Sequence, residues 1–156
     1  MTDDCIDPPP SQLPEAQRAQ LAYPDVLNGH EESWFPIRKA RISDVQALLA
    51  LVNDFAAQNV MLPRGPQYLF ENIRDFVVVV DENHAGRIVA CGSLHVLWED
   101  MAEVRSMAIH PDYQKRGLGR RIIEFLKQEA AQLGIRRLFT FTLSEEFFAR
   151  LGFTRK

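Results

Sequence analysis

The sequence predicts an α/β (α+β) fold, one mixed central sheet with helices on both faces. Three observations point there. Short β-branched and apolar runs alternate with stretches of helical periodicity from Ile37 to Phe153. A glycine-bearing basic loop joins one of these runs to the longest amphipathic stretch. The length, 156 residues with 46% hydrophobic, suits a single domain able to bury a core.

The elements follow in order. Ile37–Ala40 reads as a short strand, and Ser43 as the N-cap of a helix with Val45, Leu48, Leu49, Val52 and Ala56 at helical spacing. Pro63, Gly65 and Pro66 interrupt it and open a second short helix, with Tyr68, Leu69 and Ile73 on one side. Phe76–Val80 is a strand, 81–86 a turn, and Ile88–Leu97 the returning strand of a hairpin. Residues 98–100 turn into a further strand, Ala102–Ile109. After the glycine loop, Leu118, Ile122, Phe125, Leu126, Ala130 and Leu133 mark one helical face that Gly134 ends. Ile135–Leu143 is expected as a buried strand, Glu145–Leu151 as a short helix, and Gly152-Phe153 as the start of another strand.

Residues 1–36 differ from the rest. They hold seven acids, one base and six of the nine prolines, leaving 17 bases and 14 acids in 37–156. Such a stretch has little to bury, so it is expected to be a mobile acidic tail, with the folded domain at 37–156. The net charge of −3 argues against a general nucleic-acid binder. The longest apolar run, Phe76–Val80, is far below the ~20 residues of a membrane span, and no signal peptide opens the chain. A cytoplasmic protein is expected. Cys5 and Cys91 give neither a disulfide framework nor metal-ligand spacing, so no metal is expected. Cys91 reads as core, and Trp34 and Trp98 as packing.

Chemistry concentrates in Gln114-Lys115-Arg116-Gly117-Leu118-Gly119-Arg120. Two glycines let backbone N–H groups converge on a ligand, a helix begins there, and cations surround it. These features predict a phosphate or pyrophosphate site; the plain alternative is a turn with solvated bases. The pattern lacks the lysine of a P-loop and the third glycine of a dinucleotide site.

With the preceding strand and His110-Pro111, the segment Val104–Gly119 resembles the pyrophosphate-binding motif of the GNAT acetyltransferases. The resemblance implies acetyl-CoA as co-substrate. It assigns the pyrophosphate to Gln114, Lys115, Arg116, Gly117, Leu118, Gly119 and Arg120, and the pantetheine arm to Met107, Ala108 and Ile109. Five further stretches, 59–65, 72–76, 90–95, 98–106 and 147–153, resemble the N-acetylglutamate synthases, especially the short bacterial form. That likeness implies acetyl transfer to the α-amine of L-glutamate, the first step toward arginine, by direct attack in a ternary complex.

The same resemblance makes Glu103 the base, against the plain reading of a strand-edge carboxylate. It places a carboxylate-binding arginine at Arg64, with Leu62 also binding the acceptor, in a loop over the acceptor cleft, against the plain reading of a surface arginine. A guanidinium fork suits a carboxylate. Arg105 shares a strand face with Glu103 by the period of two, either as a second carboxylate ligand or as a structural ion pair. Many relatives carry an acidic tyrosine where this chain has Phe148, which leaves Ser144 or Thr142 as a substitute hydroxyl, against the plain reading of turn and strand hydroxyls with solvent protonating the thiolate. The family pattern also implies C-terminal strands beyond Phe153. Their absence would leave a sheet edge open to a second copy of the chain, a homodimer, or would mark a fragment. The remaining alternatives are another amine acceptor, or an acyl-CoA-binding module without catalysis. Neither nucleic acid nor membrane is an expected partner.

Overall fold

A computed structural model describes residues 35–57, 64–142 and 144–155. Five strands form one sheet in the order β1-β2-β3-β4-β5: β1 Ile37–Lys39, β2 Phe76–Asp81, β3 Arg87–Trp98, β4 Met101–Ile109 and β5 Arg137–Phe139. The first four are antiparallel neighbours, and β5 joins β4 in parallel. The sheet is therefore mixed, as the sequence predicts. Among the described residues four α-helices cover it: α1 Val45–Ala57, α2 Pro66–Glu71, α3 Leu118–Leu133 and α4 Glu145–Arg150.

Two apolar layers account for β2, in which all six residues are buried. Val77 and Val79 meet Leu118, Ile122, Ile123 and Leu126 of α3, together with Phe148 of α4. Phe76, Val78 and Val80 meet Val45, Leu48 and Val52 of α1 and Leu69 of α2. A strand covered on both faces needs no polar alternation, which explains the unbroken Phe-Val-Val-Val-Val run.

Several expectations are corrected. Ser43 is not the cap of α1. It lies inside a 3-10 turn, Ile42–Asp44, in which the Asp44 carboxylate accepts the Arg41 N–H at 2.7 Å and both ends of the Arg38 guanidinium at 2.7 and 3.0 Å. Aspartate carries the capping there because its two oxygens serve an amide and an arginine at once. The Arg38 hydrogen bond, opposed by burial, holds the Asp44 carboxyl below its ordinary range. The strand expected over Ile135–Leu143 shrinks to Arg137–Phe139, of which none is fully buried. Residues 152–155 form no strand. Leu133 is 59% exposed at the end of α3, and Trp98 is 68% exposed at the β3–β4 hairpin rather than packed. Asp81, expected in a turn, is the buried last residue of β2 and accepts the Tyr113 hydroxyl.

One strand irregularity shapes everything that follows. Cys91 pairs with Ala108 but Ser93 pairs with Arg105, so β4 carries an extra residue opposite Gly92. Ser106 takes φ +54°, the left-handed conformation of a bulge. The bulge resets the side-chain alternation: Val104, Met107 and Ile109 pack toward α3, and Ala108 toward α1.

Cys91 supports this bulge from below, its thiol donating to the Ser106 carbonyl at 3.3 Å. Fully buried, it is core, as the sequence predicts, and burial pushes its thiol from near 9 up to about 12. The unfolded thiol ionises above about pH 9 while the folded one stays protonated, so stability is intact below that pH and lost as pH rises toward 12. Relative to Cys91→Ala, the native chain is expected to lose roughly 1.4 kcal/mol of unfolding free energy between pH 8 and pH 10, read from urea midpoints. Parallel pH curves for the two proteins would refute it.

Candidate active site

Beyond Glu103 the sheet opens. β5 pairs with β4 only at Met101, Ala102 and Glu103. The last link is the Thr140 hydroxyl, which donates to the Val104 carbonyl at 2.9 Å. From Arg105 to Ile109, β4 keeps β3 on one side and, among the described residues, has no strand on the other. Ala108 and Ile109 bury their side chains, so what Met107, Ala108 and Ile109 can offer a ligand is their main-chain edge. An extended, amide-bearing arm fits such an edge as an added strand would.

The edge leads to the glycine loop. Gln114 folds back, its Nε2 donating to the Ile109 carbonyl at 3.1 Å. Lys115 and Gly117 both take left-handed φ, +63° and +77°, and Gly117 caps α3 with no side chain bound to the first amides. The first turn of α3 contains no acid but holds Arg120 and Arg121. Cations at a helix N-terminus oppose its dipole, and a bound anion would reverse that cost. Arg116 lies over the Tyr113 ring at 5.3 Å, and Lys115, Arg116 and Arg120 are exposed. Gly119 is required by space rather than conformation: a Cβ there would lie 2.8 Å from the Phe147 ring of α4. The loop and its cations suit a pyrophosphate, and the unpaired edge suits an extended amide-bearing arm, the two chemistries of acetyl-CoA.

A second cluster lies on the α1–α2 face of the sheet. Glu103 is buried and its Oε2 accepts from Arg105 Nε at 2.7 Å. Arg105 Nη1 reaches the Tyr68 hydroxyl at 3.5 Å, and the Arg64 guanidinium stacks on the Tyr68 ring at 4.2 Å. Burial works against the Arg105 charge, but its hydrogen bonds with Tyr68 and Glu103 outweigh that and raise it above the ordinary range. The Arg64 main chain is fixed by the Asn53 side chain of α1 at 3.1 Å. Its Nε is buried without a hydrogen-bond partner among the described residues, an uncompensated cost at this position.

Three of the residues singled out in the sequence, Arg64, Glu103 and Arg105, thus meet around Tyr68. Leu62 lies outside the described residues. Ser144 lies elsewhere, at the start of α4, where with Thr142, Glu145, Phe147 and Arg150 it lines a shallow hollow. No contact among the described residues links it to Glu103. Phe148 is buried edge-to-face between Phe147 and Phe153, so that position offers no acid.

Sequence reasoning missed two features. Tyr68, read as one apolar member of a helix, is the platform that joins both arginines. The β4 bulge was signalled only by Gly92 inside a strand, a common mark of close backbone approach.

Among the described residues no group of histidines, cysteines and acids could hold a metal, and no helix is long and apolar enough to cross a membrane. Residues 46–153 match the acetyltransferase (GNAT) family. The chain is 40% identical over 118 residues to an amino-acid acetyltransferase of Mycobacterium tuberculosis, covering 76% of this chain and 67% of that protein. A solved Mycobacterium tuberculosis structure in complex with CoA superposes with a TM-score of 0.72 at 39% identity, over 78% of this chain and 72% of the other. The N-acetylglutamate synthase of Neisseria gonorrhoeae, complexed with coenzyme A and N-acetyl-glutamate, gives a TM-score of 0.71 at 28% identity. That match covers 77% of this chain and 28% of the longer synthase. A splayed sheet, a glycine loop capping a basic helix start and these likenesses agree: the chain belongs to the GNAT family of acetyl-CoA-dependent N-acetyltransferases.

Proposed function

We propose that the chain moves the acetyl group of acetyl-CoA to the α-amine of L-glutamate, as an N-acetylglutamate synthase at the head of arginine biosynthesis. The observation that carries this reading is the pair of guanidiniums held by Tyr68 beside Glu103. A dicarboxylate needs two cationic partners, whereas a polyamine would need a carboxylate-lined cleft. The relatives named amino-acid acetyltransferase, and the Neisseria synthase holding N-acetyl-glutamate, support the same acceptor.

The residues divide the work. Arg64, with its unpartnered Nε, takes one substrate carboxylate, and Arg105 offers its remaining N–H groups to the other. Glu103, hydrogen-bonded to Arg105, accepts the proton of the attacking ammonium, directly or through water. The amine then forms the C–N bond, main-chain N–H groups near Met107 stabilise the oxyanion, and the C–S bond breaks. The CoA thiolate takes up the second amine proton by way of solvent.

Release of free CoA thiol from acetyl-CoA tests the acceptor, with L-glutamate run beside L-glutamine, L-aspartate, spermidine and a short peptide. Glutamate is expected to be preferred. Arg64→Ala should raise its KM by about 10- to 100-fold, the worth of a charge-assisted hydrogen bond, while leaving the KM for acetyl-CoA unchanged. Preference for spermidine, or an Arg64→Ala variant with unchanged acceptor KM, would overturn the assignment.

A further inference from the structure

The acceptor side of the sheet holds one more titratable pair that the mechanism above does not use. His95 on β3 stands directly opposite Glu103 on β4 in the strand register. Side chains so paired share a face, with Cβ atoms about 5 Å apart. The His95 Nδ1 lies 2.8 Å from an Asp75 carboxylate oxygen, at the end of the 3-10 turn Ile73–Asp75 that leads into β2. Both side chains are a little over a quarter exposed, so solvent reaches them. A carboxylate on Nδ1 selects the tautomer whose Nε2 carries a lone pair, and Nε2 has no hydrogen-bond partner among the described residues.

Glu103 needs such a neighbour. Its Oε2 is committed to Arg105, which leaves one oxygen to take a proton and pass it on. Its Oε1 has no hydrogen-bond partner among the described residues. Imidazole is the side chain whose protonation changes closest to neutrality, which suits it to receive a proton that the carboxylate cannot keep.

We propose that His95, oriented by Asp75, acts through Glu103 as the acceptor of the proton released when the amine is acetylated. The ammonium N–H proton passes to Glu103 Oε1, leaving the nitrogen lone pair to attack the thioester carbon. That proton moves on to His95 Nε2, directly or through a water, which restores the carboxylate. The resulting imidazolium, paired with Asp75, gives that proton to solvent; as the tetrahedral intermediate collapses, the electrons of the broken C–S bond leave with the CoA thiolate, which takes up the second N–H proton of the nitrogen by way of solvent. His95 is in this sense a positioning residue, since it meets the substrate only through Glu103. Acetyl transfer to an amine is all that is required, whichever amine the chain prefers.

The test is the pH dependence of kcat at saturating acetyl-CoA and acceptor, for the native chain, His95→Gln and Asp75→Asn. Saturation removes the ionisation of the free amine from the profile. The other ionisable groups on the elements packed around His95 are Arg105 on β4, Arg74 in the 3-10 turn, Tyr68 and Glu71 on α2, and Asp54 on α1. They are the same in all three proteins. His95→Gln is expected to lower kcat by about 10²-fold or more, leave the KM for acetyl-CoA unchanged and abolish the acid limb near neutrality. Asp75→Asn should keep that limb but shift it to lower pH, because the imidazolium loses its carboxylate.

An unchanged acid limb in His95→Gln, whatever its kcat, overturns the proposal. If His95→Gln fails to fold, nitrogen-15 NMR of the native chain decides instead, since an Nε2–H tautomer at His95 would equally overturn it. The amine panel above is read separately, so a different preferred acceptor removes glutamate without touching His95.

Discussion

Glu103→Gln should lower kcat by about 10²- to 10⁴-fold while leaving acetyl-CoA binding intact, the range expected when a positioned proton acceptor is lost. The substitution is nearly isosteric, and the amide oxygen can still accept from Arg105 Nε, which donates at 2.7 Å in the native chain. The acetyl-CoA edge is separate, because Met107 to Ile109 offer main-chain groups beyond the bulge. A structural ion pair would give the opposite pattern. Stability would fall, because a half-buried guanidinium loses its counter-charge, and kcat per folded molecule would hold. Thermal melting beside steady-state rates separates the two. A Glu103→Gln protein with native kcat at saturating amine would end its assignment as base, and Glu103→Asp, which keeps the charge but shortens the arm, should fall between.

Much of this architecture was legible in the sequence because its signals are local. The Phe76–Val80 run, the 3.6-residue spacing over Leu118–Ala130 and the left-handed Gly134 each depend on neighbours along the chain. The basic glycine loop was legible for the same reason, since Gln114 to Arg120 form it by themselves. What escaped depends on residues distant in sequence. Asp75 and His95 are twenty positions apart, and only the pairing of β2 with β3 brings them together. Tyr68 sits at helical spacing in an apolar stripe, and nothing local distinguishes a ring that seats two arginines from one that fills a core. Ile135–Leu143 misled for a related reason. Its composition suits a buried strand, but the pairing with β4 ends at Glu103, Thr140 keeps only a side-chain link to Val104, and Phe141 is 83% exposed. The splay that shortens β5 also frees the edge of β4, so the failed expectation and the functional feature share one cause.

That edge depends on Gly92, and Gly92→Ala should be among the most damaging small substitutions in the sheet. Its conformation is not the reason, since its φ lies outside the left-handed region. Its space is. A Cβ at this position would lie 2.6 Å from Met107 Sδ and 2.7 Å from Ile122 Cγ2, both inside van der Waals contact. The thioether can swing aside, but Ile122 is β-branched and fully buried in the middle of α3, so the helix itself must give. Overpacking of this kind costs about 1–3 kcal/mol, several degrees of melting temperature in a domain of this size. The strain falls on the bulge, where Ser106 already holds a left-handed backbone and Met107 begins the free edge. The KM for acetyl-CoA should therefore rise along with the loss of stability. Met107→Ala in the same chain removes the sulfur from the clash and is expected to restore part of both, leaving the Ile122 contribution behind. Additive effects of the two substitutions would mean that Gly92 and Met107 do not share this contact. A Gly92→Ala protein with native melting temperature and native KM for acetyl-CoA would mean that the bulge tolerates a methyl group, and that the free edge of β4 is held by Cys91 and Ser93 instead.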